Sequence, residues 1–371
     1  MAARVRFAPS PTGSLHLGGA MTAMLNYLFA RHHGGSLLLR IDDTDPSRTV
    51  PGSEQAIMDD LRWLGVEWDE GPVRQSERHD RYREAAAAVP GAVLRDGAVH
   101  LSAPGVPEFV ILRSDGSATY HWATAVDDAD FAITDVIRGG DHRSNTALHV
   151  AAIRALGAEP PRYLHHALLL GREGKLSKRD AAASIAELRR DGIPGEAVAN
   201  YLGLVGSSGP GDVMTLAELA ARFDEERLSH GEVIVDPARI RSLATQHLRA
   251  LPADELVRRT LAFSPPGTAP DQVAALEPAL RGVHTLAEAG DLVGAVVRPP
   301  ARHPVPALAE IRRRYPDRLS EADARALVEE LRSSRVPLRE ARVSLTGRER
   351  GPELWAVLAA LPRDEAIRRA A

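Results

Sequence analysis

Along this chain the spacing of apolar positions changes character once, near Asp180. Before that point, short apolar runs alternate with stretches whose apolar residues recur every three or four positions. The runs ARVRFA (3–8) and SLLLRID (36–42) predict buried strands. GGAMTAMLNYLFARHH (18–33), between them, predicts a helix stopped by Gly34 and Gly35. Together they form a β-α-β unit. Helical spacing returns in GSEQAIMDDLRWLG (52–65) and SERHDRYREAAAAV (76–89). EFVILR (108–113), TYHWATAVDD (119–128) and FAITDVIRG (131–139) carry strand-like runs, NTALHVAAIRALG (145–157) predicts a helix, and RYLHHALLL (162–170) a last strand. Strands alternating with helices imply an α/β fold, a Rossmann-like doubly wound and mostly parallel sheet. Past Asp180 the patterns are helical, from AVANYLGLVG (197–206) to GPELWAVLAAL (351–361), so an all-α C-terminal region is expected.

Composition narrows the function classes. At 371 residues the chain can fold as two or three domains, each with its own core. No apolar run is long enough to span a bilayer and MAARVRFAPS has no leader pattern, so a cytoplasmic protein with no membrane partner is expected. With no cysteine there are no disulfides, no thiolate catalysis and no usual structural zinc site; His-rich metal sites remain open, and none is predicted. A net charge of −4 argues against a protein coated in positive charge but leaves room for a local basic face.

The distribution of cations says more than their total. Of 46 lysines and arginines only two are lysine, Lys175 and Lys178, both in GREGKLSKRD. Coding bias toward arginine accounts for the scarcity, but not for the pairing. A compact ammonium on a flexible stem acts as a point charge for phosphate where a planar guanidinium does not fit. A second phosphate element lies after the first strand, in RFAPSPTGSLHLGGA. Pro9 and Pro11 stiffen the turn, while Gly13, Gly18 and Gly19 let backbone approach an anion at the start of the next helix, beside His16. A helix-capping loop with an incidental histidine is the plain alternative. Two cationic arms at the C-terminal edge of one sheet favour the phosphate reading.

These residues resemble a known family. PSPTGSLHLGG is similar to the HIGH-type signature and KLSKR to the KMSKS-type signature of class I aminoacyl-tRNA synthetases. RFAPSPTGSLHLGGA, LLRIDDTD, LRWLGVEWDEGP, QSERHDRY, RSDGSATYHWATAVDD, ITDVIRGGDHRSNT, GKLSKRD and SLTGRERGPELWAVLAAL together resemble glutamyl-tRNA synthetase, in family order and over nearly the whole chain. The resemblance implies ATP-dependent activation of glutamate to glutamyl-adenylate, with Mg²⁺, and transfer to the 3′ end of a tRNA, tRNA(Glu), by a monomeric enzyme. It implies ATP contacts from His16, Gly18, Gly19, Lys175, Ser177 and Lys178, with His16, Lys175 and Lys178 as the catalytic set. Arg6, Ala8, Ser10, Asp42, Tyr120 and Arg138 match the glutamate contacts, Arg138 facing the side-chain carboxylate. The domains it implies are a catalytic domain over 1–180 with a shortened insertion at about 88–108, a stem-contact-like helical region over 181–245 and an anticodon-binding-like domain over 246–371.

Two departures from the family pattern qualify this. RIDDTD places Asp42 where the family carries a glutamate for the substrate's α-amino group, so the carboxylate is one methylene shorter. Between the helix at Tyr82 and the strand at Phe109 only AVPGAVLRDGAVHLSAPGVPE stands in place of an acceptor-binding connective domain. Three functions follow: a synthetase with a reduced acceptor domain, a ligase passing glutamate to another acceptor, or a tRNA-binding regulator without activity. Arginine runs such as Arg312, Arg313 and Arg314 are candidate phosphate contacts, or simply a solvated face.

Overall fold

Four residues of alternating size begin the sheet: β1 (Arg4–Phe7) buries Val5, Arg6 and Phe7. The chain then crosses through α1 (Leu17–His32) to β2 (Ser36–Ile41), which pairs in parallel with β1. The return is tight. Ser36 N–H bonds to the Ala3 carbonyl at 2.9 Å, and a Cβ on Gly35 would stand 2.0 Å from that oxygen, so only glycine fits there. α1 is buried on most sides and is pinned to the sheet by Asn26, whose amide donates to the carbonyl of Ile137 at 2.9 Å.

The structure is a computed structural model describing residues 2–171, 174–175, 184–207, 213–298, 301 and 303–371. After β2 come α2 (Ser53–Trp63), β3 (Glu70–Arg74), α3 (His79–Ala88), the antiparallel strands β4 (Ala92–Arg95), β5 (Ala98–Leu101) and β6 (Phe109–Leu112), then α4 (Tyr120–Asp130), β7 (Asp135–Gly139), α5 (Thr146–Ala155) and β8 (Arg162–His166). β3 pairs in parallel with β2, and β7 in parallel with β8. The two ladders adjoin at Thr134, whose N–H bonds to the Arg4 carbonyl at 2.9 Å while its hydroxyl accepts from Arg4 N–H at 2.8 Å. The order 3-2-1-7-8 is that of a doubly wound sheet, with its switch point between β1 and β7.

Two sequence expectations change. TYHWATAVDD is a helix, not a strand: Thr119 caps α4 by accepting from Trp122 N–H, and Trp122, Ala123, Thr124, Ala125, Val126, Asp127 and Asp128 are all buried. A helix enclosed on nearly every side shows no amphipathic period, so its sequence does not announce it. RYLHHALLL is two strands, because the chain leaves the sheet at Ala167, whose N–H bonds to the Ser229 carbonyl; β9 (Leu168–Gly171) pairs instead with β10 (Gly174–Lys175) and β11 (Glu232–Ile234). Between α3 and β6 the chain forms the β4–β5 hairpin.

The chain divides into two units, Met1–Glu187 with Val198–Pro237, and Leu188–Ala197 with Ala238–Ala371. α6 (Ile185–Arg190), α7 (Gly195–Ser207) and α8 (Leu216–Ala221) precede the purely helical stretch: α9 (Pro237–Ala250), α10 (Ala253–Leu261), α11 (Pro270–Ala275), α12 (Glu277–Leu280), α13 (Leu286–Val297), α14 (Pro306–Arg312), α15 (Glu321–Ser333), α16 (Leu338–Thr346), α17 (Leu354–Ala360) and α18 (Arg363–Ala370). Leu256, Val273, Leu308, Leu327, Leu345 and Leu358 belong to its core. Arg312 departs from its sequence reading. It is fully buried and donates to the carbonyls of Pro316 and Asp317 at 2.6 and 2.7 Å, so it closes the end of α14 and offers nothing to a phosphate. Arg314 pairs with Glu330 at 2.7 Å, and Arg313 is exposed.

Candidate active site

At the C-terminal ends of β1 and β7 a cleft of about 480 Å³ opens, as expected for the switch point of such a sheet. Arg6, Ala8, Ser10, His16, Gly19, Asp42, Tyr120 and Arg138 line it, so residues predicted from four separate segments meet in one cavity. His16 stands immediately before α1 and is exposed; Gly18, the second residue of that helix, is not among the lining residues, and a Cβ there would meet nothing within 4 Å. Lys175 lies in β10, and Ser177 and Lys178 lie outside the described residues.

The floor of the cleft is a buried charge network that the sequence reading missed. Arg40, fully buried on β2, donates to Asp42 at 2.7 and 3.3 Å and to Asp128 at 2.8 Å, with Asp127 3.6 Å away. Arg6 reaches the same oxygen of Asp128 at 3.3 Å. Asp127 is held in turn by Gln75, Arg78 and Tyr82 at 2.8 to 3.0 Å. An arginine inside an apolar strand and two adjacent aspartates in an apolar helix were the available signals. Their pairing could not be read, since it joins β2 to α4 across more than eighty residues.

Electrostatics differ sharply between the two ends. Burial pushes the Asp42 carboxyl up to about 6, against the pull of Arg40 and with a further push from Asp127. Burial also opposes ionisation of Asp128, but Arg6 and Arg40 overcome it and hold that carboxyl below its ordinary range. At the other end, Arg138 is 4% exposed, and no carboxylate of the described residues pairs with it. Burial, then repulsion from Arg6, depresses its pKa. Its neighbours are neutral: His149 at 3.2 Å, Thr146 at 2.9 Å and His165 at 3.4 Å, with the Tyr163 ring 4.9 Å from its Cζ. Burial followed by Arg138 pushes His149 down to about 2 and His165 to about 4, so both are neutral at physiological pH. The cleft therefore offers an anionic end and an uncompensated cationic end, a pairing suited to a zwitterion with an acidic side chain.

Comparison with known proteins identifies the family. Residues 2–89 and 93–242 match the family described as tRNA synthetases class I (E and Q), catalytic domain. The chain belongs to this family. It is 40% identical to glutamate–tRNA ligase 1 of Rubrobacter xylanophilus, covering 99% of this chain and 96% of that one, and 35% identical to the glutamate–tRNA ligase of Akkermansia muciniphila, covering 99% and 98%. The fold is similar to the crystal structure of a glutamate tRNA ligase from Elizabethkingia meningosepticum in complex with its amino acid, with a TM-score of 0.81 and 24% identity over 100% of this chain and 98% of that one. That last likeness is one of fold. The family match is interrupted at residues 90–92, where β4 begins. The Rubrobacter alignment runs over 422 positions against 371 residues here, so at least 51 of them have no counterpart in this chain.

Proposed function

We propose that this synthetase is a glutamate–tRNA ligase, activating glutamate with ATP and transferring it to the 3′ end of tRNA(Glu). The observation that carries the reading is the charge layout of one cleft, with Arg138 buried without a carboxylate partner among the described residues and Asp42 in the same cavity. In this reading Arg138 takes the side-chain carboxylate, Asp42 the α-ammonium, and Arg6, Ala8, Ser10 and Tyr120 line the space between. Near-complete coverage of relatives named glutamate–tRNA ligases supports the same substrate.

ATP fits the other side of the cleft, where His16 and Gly19 border the first turn of α1 and, among the described residues, nothing stands within 4 Å of a Cβ placed on Gly18. The open N–H groups of that turn favour phosphate. His16 donates to a phosphate oxygen as the substrate carboxylate attacks, while Lys175 and Lys178 offset charge on the leaving pyrophosphate. Among the described residues no group of three acidic or imidazole side chains converges as a metal cage. Mg²⁺ carried by the nucleotide phosphates would screen their charge when bound. Residues 181–245 and 246–371 are assigned to the stem and the anticodon of the tRNA.

Charging of total tRNA with radiolabelled glutamate, followed by identification of the labelled species, tests the proposal. Label on tRNA(Glu) supports it. Adenylate formation without labelled tRNA favours another acceptor, a reading motivated by the bare β4–β5 hairpin. tRNA binding with no activation at all leaves the regulator.

A further inference from the structure

Arg40 and Arg138 are both buried in the same cleft, yet their surroundings are opposite. Arg40 has three carboxylates around it; Arg138 has three neutral acceptors. A guanidinium carries five N–H donors and no acceptor. In Arg138 the Nε donor points to His165 Nε2 at 3.4 Å, one Nη1 donor to His149 Nδ1 at 3.2 Å and one Nη2 donor to the Thr146 hydroxyl at 2.9 Å. One hydrogen remains on each terminal nitrogen, so two donors are left for an incoming carboxylate. The ring of Tyr163, 4.9 Å from Cζ, keeps the guanidinium plane in place.

The tautomers follow from the donors. Arg138 only donates, so Nδ1 of His149 carries a lone pair and its hydrogen sits on Nε2. That nitrogen is 3.1 Å from Nδ1 of His121, which must then accept. Arg138 thus sets the tautomer of His149 and, through it, that of His121, and His149, fully buried, presents a neutral acceptor to the cation. A protonated His149 would aim an N–H at the guanidinium instead. Burial and Arg138 act together against that state, holding the ring neutral far below physiological pH.

We infer that His149 is a positioning residue whose neutrality, with that of Thr146 and His165, makes the cleft select a side-chain carboxylate over the corresponding amide. The inference rests on the reading of Arg138 as the carboxylate ligand. A carboxylate arriving at the two remaining donors neutralises a buried cation, whereas an amide leaves it uncompensated. An internal carboxylate in this ring would neutralise Arg138 in advance and erase the difference.

Asparagine and aspartate at position 149 test this, because they share a shape, each places an oxygen near the site of Nδ1, and each loses the link to His121 equally. KM and kcat for glutamate, and for glutamine as competing substrate, are measured in tRNA charging. His149→Asn should hold the glutamate KM within about threefold, whereas His149→Asp should raise it roughly tenfold to a hundredfold with a smaller change in kcat, the scale of one hydrogen bond to a charged group. Discrimination against glutamine should fall in parallel. Thr146→Asp and Thr146→Asn repeat the comparison at the first residue of α5, where an added carboxylate suits the helix N-terminus, so a folding failure at 149 leaves the test intact. Aspartate and asparagine variants with the same glutamate KM and the same glutamine discrimination would overturn the inference while leaving Arg138 as ligand. An Arg138→Gln variant with an unchanged glutamate KM would overturn the underlying reading and the inference with it.

Discussion

Glutamate affinity should fall as pH drops through 6, and Asp42 is the reason. Its carboxyl is pushed up to about 6 from an ordinary 3.8, first by burial and then by Asp127, with Arg40 pulling the other way. In the proposed pocket only the ionised form holds the α-ammonium. With a pKa near 6 the ionised fraction falls about tenfold between pH 7 and pH 5, and the association constant should fall with it. Burial and Arg138 push His149 down to about 2 and His165 to about 4, below this window, and burial lowers His121 and His142 from the ordinary histidine value as well. Glutamate's own side-chain carboxyl, ordinarily near 4.3, stays mostly ionised down to about pH 5. Titration calorimetry of glutamate from pH 5 to 8 measures the effect, with Asp42→Asn as the control that should bind weakly and without a slope in that range.

A second readout has the opposite sign. A folded-state pKa above the unfolded value means that ionised Asp42 opposes folding, by roughly 3 kcal/mol for a rise from 3.8 to about 6. That penalty is complete above pH 6 and is relieved as pH falls from 6 toward 3.8. Asp42→Asn should therefore raise stability at pH 7 and lose that advantage near pH 4. A flat affinity profile in the wild type, or an equal slope in Asp42→Asn, would refute the reasoning. The pocket would then hold its ammonium group elsewhere.

Three other outcomes are expected. Arg40→Leu leaves Asp42, Asp127 and Asp128 without their shared cation and should cost about 3–5 kcal/mol in denaturant unfolding; a loss under about 1 kcal/mol would show that Arg6 and Arg78 suffice. Lys178→Arg conserves charge but should depress glutamate-dependent ATP turnover, because a planar fork cannot follow migrating phosphates as an ammonium does; wild-type turnover would contradict it. Arg312→Leu should destabilise the helical region by about 1–3 kcal/mol through its orphaned carbonyls. It should leave the salt dependence of tRNA binding unchanged, and a reduced slope would instead count Arg312 among the phosphate contacts.

What the sequence alone determined here is what short-range order can express. The β-α-β start, the helical second half, the loop ahead of α1 and the clustered lysines were legible because period, glycine placement and residue type act within a few positions. The stretch between α3 and β6 was legible as a short distance, and the fold makes it a hairpin. The tertiary structure decided everything that depends on partners far apart in the chain. α4 is a helix because its burial against several elements replaces the amphipathic signal. Arg312, read as a cation for phosphate, is a buried donor to carbonyls. Arg40 finds its carboxylate on α4, and Arg138 its neutral acceptors on α5 and β8. Two arginines of one chemical type thus acquire opposite characters, one compensated and one waiting. In a buried site of low polarisability the charge left over depends on which groups lie within a few ångströms, and that is a property of the fold.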